Sequence, residues 1–533
     1  MSIFMRDRFL SQYSVNKGWL EYNSLSKRKG KVHMEPNSVS TLNISSLPDK
    51  LLLKIFSYLP HIQVIQCAYV CRQWRSVAYD SSLWSTVSLR PEHGGLQIKD
   101  TTKFIQLFGN RFGECLRDME LPVDLINTEI LTELANKCPN LCMLTMDFSN
   151  AMQLCDFNDL NVFPCNLRLL CICLSEVIFL EGFMRRIYAY LSSLEVLHII
   201  GTIEKSTDKS EDEIYETLNL HKLKSYTPNL KIINLYGVKF VEDYHIESVA
   251  SGCIHLECLA LNYCTRFKGE PLKLIMNRCR KINSLLLRNT GISNKAFQAV
   301  IWENTVLTEL DIGSTDLSEE CLLDSFKRIP KFKYLAVPYC DGFTDNVLEM
   351  LVCHNKLTDT RALDFSYTIN LSVETLFNFL KNNAQQLEGI AYTGNPRVTE
   401  QFWTGSVPHM QNLRIIIMGT PFGWFRRITT RIHIDTILEV IAQSCVNLQR
   451  LEIQWDPDTL RWTDNSSKFA DHLRLKCHNL KSFVLTDGEY FELVRSNFER
   501  AGRYNIVRSI RLMTRIGEIL RASRVSYKYR TGY

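Results

Sequence analysis

Residues 253–264 read CIHLECLALNYC, in which Leu256, Leu259 and Leu261 are spaced L-x-x-L-x-L between two cysteines. Side chains two apart in an extended chain point the same way, so Leu259 and Leu261 read as the inward pair of a short strand. With Ile, Met, Val, Phe or Tyr allowed for Leu, the spacing returns upstream at Leu116, Leu141, Leu167, Leu194 and Leu230. Downstream it starts at Ile282, Leu307, Phe332, Leu413, Leu448 and Leu480, with looser copies at Thr360 and Leu387. Successive starts lie 25 to 28 residues apart, except for three intervals of 36, 35 and 32. Between strands, stretches such as DNVLEMLVCH (345–354) and VETLFNFLKNN (373–383) repeat apolar residues at three and four, the helical period. One strand and one helix about every 26 residues cannot bury an apolar face alone, so the copies must stack. The expected fold is α/β: a curved solenoid of about 14 repeats over 91–512, with parallel strands inside and helices outside.

This period resembles the leucine-rich repeat. Copies of the form Cys253-x-x-Leu256-x-x-Leu259-x-Leu261-x-x-Cys264 resemble its cysteine-containing subtype. Residues 1–43 are expected to be a basic leader, with seven Lys or Arg against three acids, and 513–533 a basic tail. Ten cations against two glutamates from Arg495 onward more than account for the net charge of +5. The long intervals mark insertions at 201–222 (acidic), 419–434 (aromatic and basic) and 455–468, each either a binding loop or an idle extension.

Ahead of the repeats, residues 44–90 contain LPDKLLLKIFSYL (47–59), apolar nearly all round. A lone surface helix shows about a 100° apolar stripe, so one face of this helix meets its own domain and the other meets something else. Two further short helices follow, about Ile62–Val70 and Arg72–Tyr79. Three helices in so short a segment bury too little to stand alone.

Leu47-Pro48, Leu51-Leu52, Ile55-Phe56, Leu59, Val70-Cys71, Trp74, Ala78 and Leu83-Trp84 fall where an F-box has its signature residues. The segment resembles an F-box, and the chain as a whole resembles the F-box and leucine-rich-repeat family. The resemblance implies docking on a Skp-type adaptor and, through it, on the cullin of a ubiquitin ligase. Leu47, Pro48, Leu51, Leu52, Ile55 and Val64 are the expected adaptor-facing residues, with Trp74 supporting them from within. Where F-boxes often place Asp-Leu ahead of the second helix, this chain has Gln63-Val64, and loss of a capping Asp weakens a helix by roughly 1 kcal/mol.

No Gly-rich phosphate loop, G-x-S-x-G, H-E-x-x-H or paired Cys/His array is present, and the 12 histidines are scattered. A non-catalytic substrate receptor needing no metal or cofactor is the expectation, its partners being the adaptor and an unknown protein target. The 18 cysteines are scattered through apolar segments and never form Cys-x-x-Cys, and those of the repeat copies sit at inward positions rather than ligand spacing, which suits buried thiols in a reducing compartment better than zinc. No secretory signal or 18-residue apolar run occurs, so a cytoplasmic location is expected, with the nucleus as the alternative that LSKRKGK (25–31) suggests. The competing reading is a membrane- or nucleic-acid-associated scaffold acting through the tail.

For the target, strand residues between the core leucines should face the concave hollow. Most are polar, such as Glu309 and Asp311. In three neighbouring repeats they are not: Leu169, Cys171 and Cys173, then Val196 and Ile200 beside His198, then Ile232 and Tyr236 beside Asn234 read as an exposed apolar patch for substrate. The alternative is that the 201–222 insertion covers them. Ile415 and Ile417 beside the 419–434 insertion are the reserve.

Overall fold

The structure is a computed structural model that describes residues 44, 47–91, 95–98, 101–108, 113–175, 178–201, 216–420, 431–498 and 506–509. The basic leader, the basic tail, most of the acidic insertion (202–215) and most of the aromatic one (421–430) lie outside the described residues. The chain divides into two compact units, Met1–Glu204 with Glu216–Asn219, and Lys205–Tyr215 with Leu220–Tyr533.

The first unit opens with three short helices, α1 (Asp49–Phe56), α2 (His61–Cys67) and α3 (Arg72–Ala78). Pro48 and Pro60 stand just ahead of α1 and α2, where a missing N–H costs nothing, and the Cys71 thiol accepts the Trp74 N–H at the start of α3. The second helix thus begins at His61, so Gln63 and Val64 lie inside it and the expected capping deficit at that site does not arise. A 3-10 turn (Ser81–Trp84) then leads into strand β1 (Thr86–Ser88). Strands β2 (Asp118–Pro122), β3 (Met143–Asp147), β4 (Leu169–Cys173) and β5 (Val196–Ile200) add to β1 in chain order, all parallel.

The second unit repeats the scheme. Its strands are β6 (Ile232–Asn234), β7 (Cys258–Ala260), β8 (Ser284–Leu286), β9 (Glu309–Asp311), β10 (Tyr334–Ala336), β11 (Ala362–Asp364), β12 (Gly389–Thr393) and β13 (Ile415–Gly419). These pair in order, again parallel, and the array ends with β15 (Arg450–Ile453), β17 (Ser482–Leu485) and β18 (Val507–Ser509). Two-residue strands β14 (Ile432–His433) and β16 (Leu460–Arg461) pair separately, so the 455–468 insertion contributes a strand rather than an idle loop. In this second unit each turn carries a helix between its strands, and helices of successive turns touch in chain order.

The core follows the sequence pattern. Leu259, Leu285, Leu310, Leu335, Leu363 and Ile390 stack at the centres of consecutive strands, each no more than 2% exposed. Ser293, Ser318 and Ser372 cap the helices that follow, their side chains accepting backbone N–H groups. The cysteines stitch turns together: Cys253 donates to the Thr227 carbonyl, Cys279 to that of Cys253, and Cys264 to that of Leu235. Burial pushes the Cys264 thiol up to about 12, so it sits there as a neutral thiol.

Beyond the strands a second ladder runs for seven turns. Gly237, Tyr263, Asn289, Ser314, Tyr339, Tyr367 and Gly394 each stand two residues past an inward apolar side chain, and each has φ between 52° and 78°. Their N–H groups donate at 2.7–3.0 Å to Asn262, Arg288, Gly313, Pro338, Ser366, Thr393 and Gly419, one turn onward. The left-handed conformation is what turns each N–H toward the next repeat. It costs a residue with a Cβ about 1–2 kcal/mol, which Gly avoids and Asn tolerates.

Candidate functional site

The three-helix unit carries two apolar stripes on α1. Leu52 and Phe56, one turn apart, are buried, and the Phe56 ring meets Trp74 edge-on at 5.3 Å. Gln73 ties α3 to the start of α1 by donating to the Leu47 carbonyl (3.1 Å) and the Asp49 carboxylate (2.9 Å). Trp84 donates to the Ala78 carbonyl at 3.0 Å and stacks on His61 at 5.0 Å, which fastens the trio to the segment entering β1. The other stripe, Leu51 and Ile55, is 52% and 41% exposed. Tyr58, Ile62, Tyr69 and Val70 are exposed as well, with Pro48 exposed and Leu47 half-buried. Two of the six expected adaptor-facing residues are corrected: Leu52 and Val64 are 0% and 1% exposed, because the trio spends them on its own core. Sequence could not separate the stripes, since α1 is apolar on both.

The expected apolar patch for substrate is also corrected. In the first unit Val196, His198 and Ile200 are all under 10% exposed, and β5 is buried along its whole length; Leu169 is half-buried. In the second unit Ile232 and Tyr236 are 5% and 4% exposed, and the Tyr236 ring lies 5.1 Å from Tyr263. At about 25 cal/mol per Å² so many apolar side chains are costly to leave wet, and the fold covers them. Leu218 and Leu220, the described end of the acidic insertion, are themselves buried. His198 sits in this dry setting with Nδ1 unpartnered among the described residues, and burial pulls its pKa down to about 4.

A polar face that sequence reasoning passed over opens on β8–β11. Arg288, just past β8, donates to Asp311 through Nε (3.0 Å) and to Asp364 on β11 through Nη2 (3.2 Å). Burial opposes the charge on Arg288, but the two carboxylates outweigh it and hold the guanidinium protonated, above its ordinary value. Asp311 also accepts the Gly313 N–H and Asp364 the Ser366 N–H, so each carboxylate is held from its own chain. Above this cluster stand the tyrosines of the left-handed ladder. Tyr339 and Tyr367 stack at 4.1 Å with planes 9° apart, and Tyr339 remains 38% exposed. A Cβ on Gly394 would meet the Tyr367 ring at 2.1 Å, so only glycine there leaves the ring its place. A cleft of about 520 Å³ opens among the residues preceding β10–β13, where Arg361 (2.7 Å) and Arg414 (3.4 Å) share the Glu388 carboxylate and Lys333 joins them.

Among the described residues no three His, Cys, Asp or Glu side chains converge as metal ligands, and no helix is long and apolar enough to cross a membrane. The reserve pair is divided: Ile415 is 39% exposed and Ile417 half-buried.

Residues 44–90 match the F-box-like family, so the helix trio is an F-box-like domain, followed by turns of leucine-rich-repeat type. Over 425 residues, 74% of this chain, the sequence is 22% identical to the Caenorhabditis elegans "Putative RNA-binding protein EEED8.10". Over 131 residues, 24% of the chain, it is 30% identical to the Bos taurus F-box/LRR-repeat protein 12. The chain spans 53% and 38% of the lengths of these two relatives. Among solved structures it is similar to a chain of the yeast Rad7 and Elc1 complex, with 14% identity, 86% of this chain and 95% of that one covered, and a TM-score of 0.40. It is also similar to the Listeria monocytogenes internalin InlF, with 16% identity, coverage of 57% and 74%, and a TM-score of 0.28.

Proposed function

We propose that this chain is the target-binding subunit of a Skp-cullin-F-box ubiquitin ligase. The F-box-like trio docks on the Skp-type adaptor, the repeats hold a protein target, and the chain itself makes and breaks no bonds. Its contribution is effective concentration: a lysine of the held target stays beside the ubiquitin-carrying enzyme. The observation that carries this reading is the outer stripe of α1, Leu51 and Ile55, exposed on a domain that matches the F-box-like family. Apolar side chains left in water beside a complete inner stripe mark a surface awaiting a partner.

Burying a Leu or Ile is worth about 1.5–3 kcal/mol, and each 1.4 kcal/mol is roughly tenfold in affinity. Leu51→Ala with Ile55→Ala should therefore weaken adaptor binding about a hundredfold or more, with the fold intact. Titration calorimetry against a purified Skp-type adaptor measures this. Equal affinity in the folded double variant, or no binding by the parent, would sink the ligase reading.

The name of the nematode relative supports a second reading, RNA binding, with the ten cations between Arg495 and Tyr533 contacting phosphates. Such binding falls steeply with salt. A gel shift of single-stranded RNA that weakens from 50 to 200 mM salt and is lost on removing residues 513–533 would favour it; no shift at low salt excludes it.

A further inference from the structure

The left-handed ladder of the second unit accepts Gly at two rungs and Asn and Ser at one each, yet three rungs carry tyrosine, Tyr263, Tyr339 and Tyr367. A bulky side chain at positive φ is disfavoured, and such outliers gather where a ligand is held. The backbone ladder does not need the rings, since Ser314 donates its N–H at 2.7 Å just as Tyr367 does. Two of the rings are instead set in place as a stack, Tyr339 on Tyr367, with Gly394 leaving room for the Tyr367 ring.

The charge beneath the stack is unbalanced. On β9 and β11 the carboxylates of Asp311 and Asp364 share one guanidinium, that of Arg288, among the described residues. Lys333 and Arg361, the cations nearest in sequence to the stacked tyrosines, stand at the opposite ends of β10 and β11. Each is six residues before its tyrosine, about 20 Å of extended chain, and Arg361 is taken by Glu388. An aromatic face over an excess of carboxylate is the setting in which a cation gains from both ring and charge.

We infer that Tyr339 and Tyr367, with Asp364 beside them, form a subsite for a cationic side chain of the target protein, arginine ahead of lysine because a planar guanidinium also stacks. The inference rests on the reading of the repeats as the target-holding part and names the chemistry that part selects. A target segment laid along the strand ends would place its arginine on the Tyr339–Tyr367 stack.

The test uses the full chain and an immobilised library of seven-residue acetylated peptides in which the central position is varied through all amino acids and the flanks are mixed. Arginine, then lysine, should be enriched at the centre. In Tyr339→Asn/Tyr367→Asn, which keeps a residue type the ladder already holds at Asn289, the enrichment should fall about tenfold while the melting temperature is retained. In the parent, N-acetyl-arginine amide should displace an arginine-centred peptide while N-acetyl-citrulline amide, the same shape without the charge, should not. This arm stands even if the double variant fails to fold. Enrichment of acidic or phosphorylated residues, no basic enrichment, enrichment unchanged in the folded variant, or equal displacement by citrulline would each overturn the subsite. None of these measurements involves the adaptor, so they fail or succeed independently of docking through Leu51 and Ile55.

Discussion

In α1, Leu52 is fully buried while its neighbour Leu51 is 52% exposed; on β9, Leu310 is fully buried while its neighbours are Glu309 and Asp311. Both segments set a buried leucine beside a residue that faces away from the core, but only the helix makes that second residue apolar. A repeat is covered on each flank by another turn of its own unit, so its outward positions are free to be polar. Helix α1 has two short helices, α2 and α3, to share its core with, and its second apolar stripe, Leu51 and Ile55, stays exposed. Apolar side chains expected at the surface thus fare differently in the two regions: Leu51 and Ile55 are exposed in the trio, whereas Val196 and Ile232 are buried in the repeats.

The sharpest way to break that contrast is to place a charge on the repeat positions expected to be open. Val196→Asp or Ile232→Asp puts an unpaired carboxylate into a buried site and should cost roughly 4 kcal/mol or more, seen in urea unfolding. Parent-like unfolding would mean that this face is wet and would restore it as a target surface. Next comes Leu310→Ala, in the stacked core, with an expected loss of about 2–5 kcal/mol; a smaller loss would mean that the neighbouring turns close over the gap.

His198 sharpens the same point through pH. Its folded value is lowered to about 4 against 6.5 for the free side chain. Below pH 6.5 the unfolded chain takes up a proton that the folded one refuses, so stability is full above 6.5 and falls as pH drops toward 4, by roughly 3 kcal/mol. Thermal melting across that window should show the slope in the parent and a flatter one in His198→Leu. The same slope in both would place solvent at β5. The smallest effect belongs to Leu51→Ala, which should change stability by about 0.5 kcal/mol or less. A loss of 2 kcal/mol or more would make its stripe part of the trio's core rather than a docking face.

Strand positions were legible because alternation is a local property. The L-x-x-L-x-L spacing names Leu259, Leu285 and Leu310 as core residues without reference to anything distant, and the serines ahead of the helices act as caps for equally local reasons. The left-handed tyrosines were not legible. Nothing in LNYC, VPYC or FSYT marks a tyrosine for positive φ, a conformation ordinarily left to glycine and asparagine. Nor was the Arg288–Asp364 pair, whose members lie 76 residues apart and meet only because β8 and β11 lie in one sheet.

What the sequence by itself determined is the repeating unit, the inward direction of its spaced leucines, and the F-box-like segment at 44–90, because periodicity and helix composition act over a few residues. What only the tertiary structure decided is which apolar residues stay in water. Leu51 and Leu52 are the same amino acid one position apart, Ile55 on α1 and Ile200 on β5 are the same amino acid far apart, and one of each pair is buried while the other is exposed. Exposure is a property of what packs over a residue, and that neighbour is fixed only when elements far apart in the chain have met.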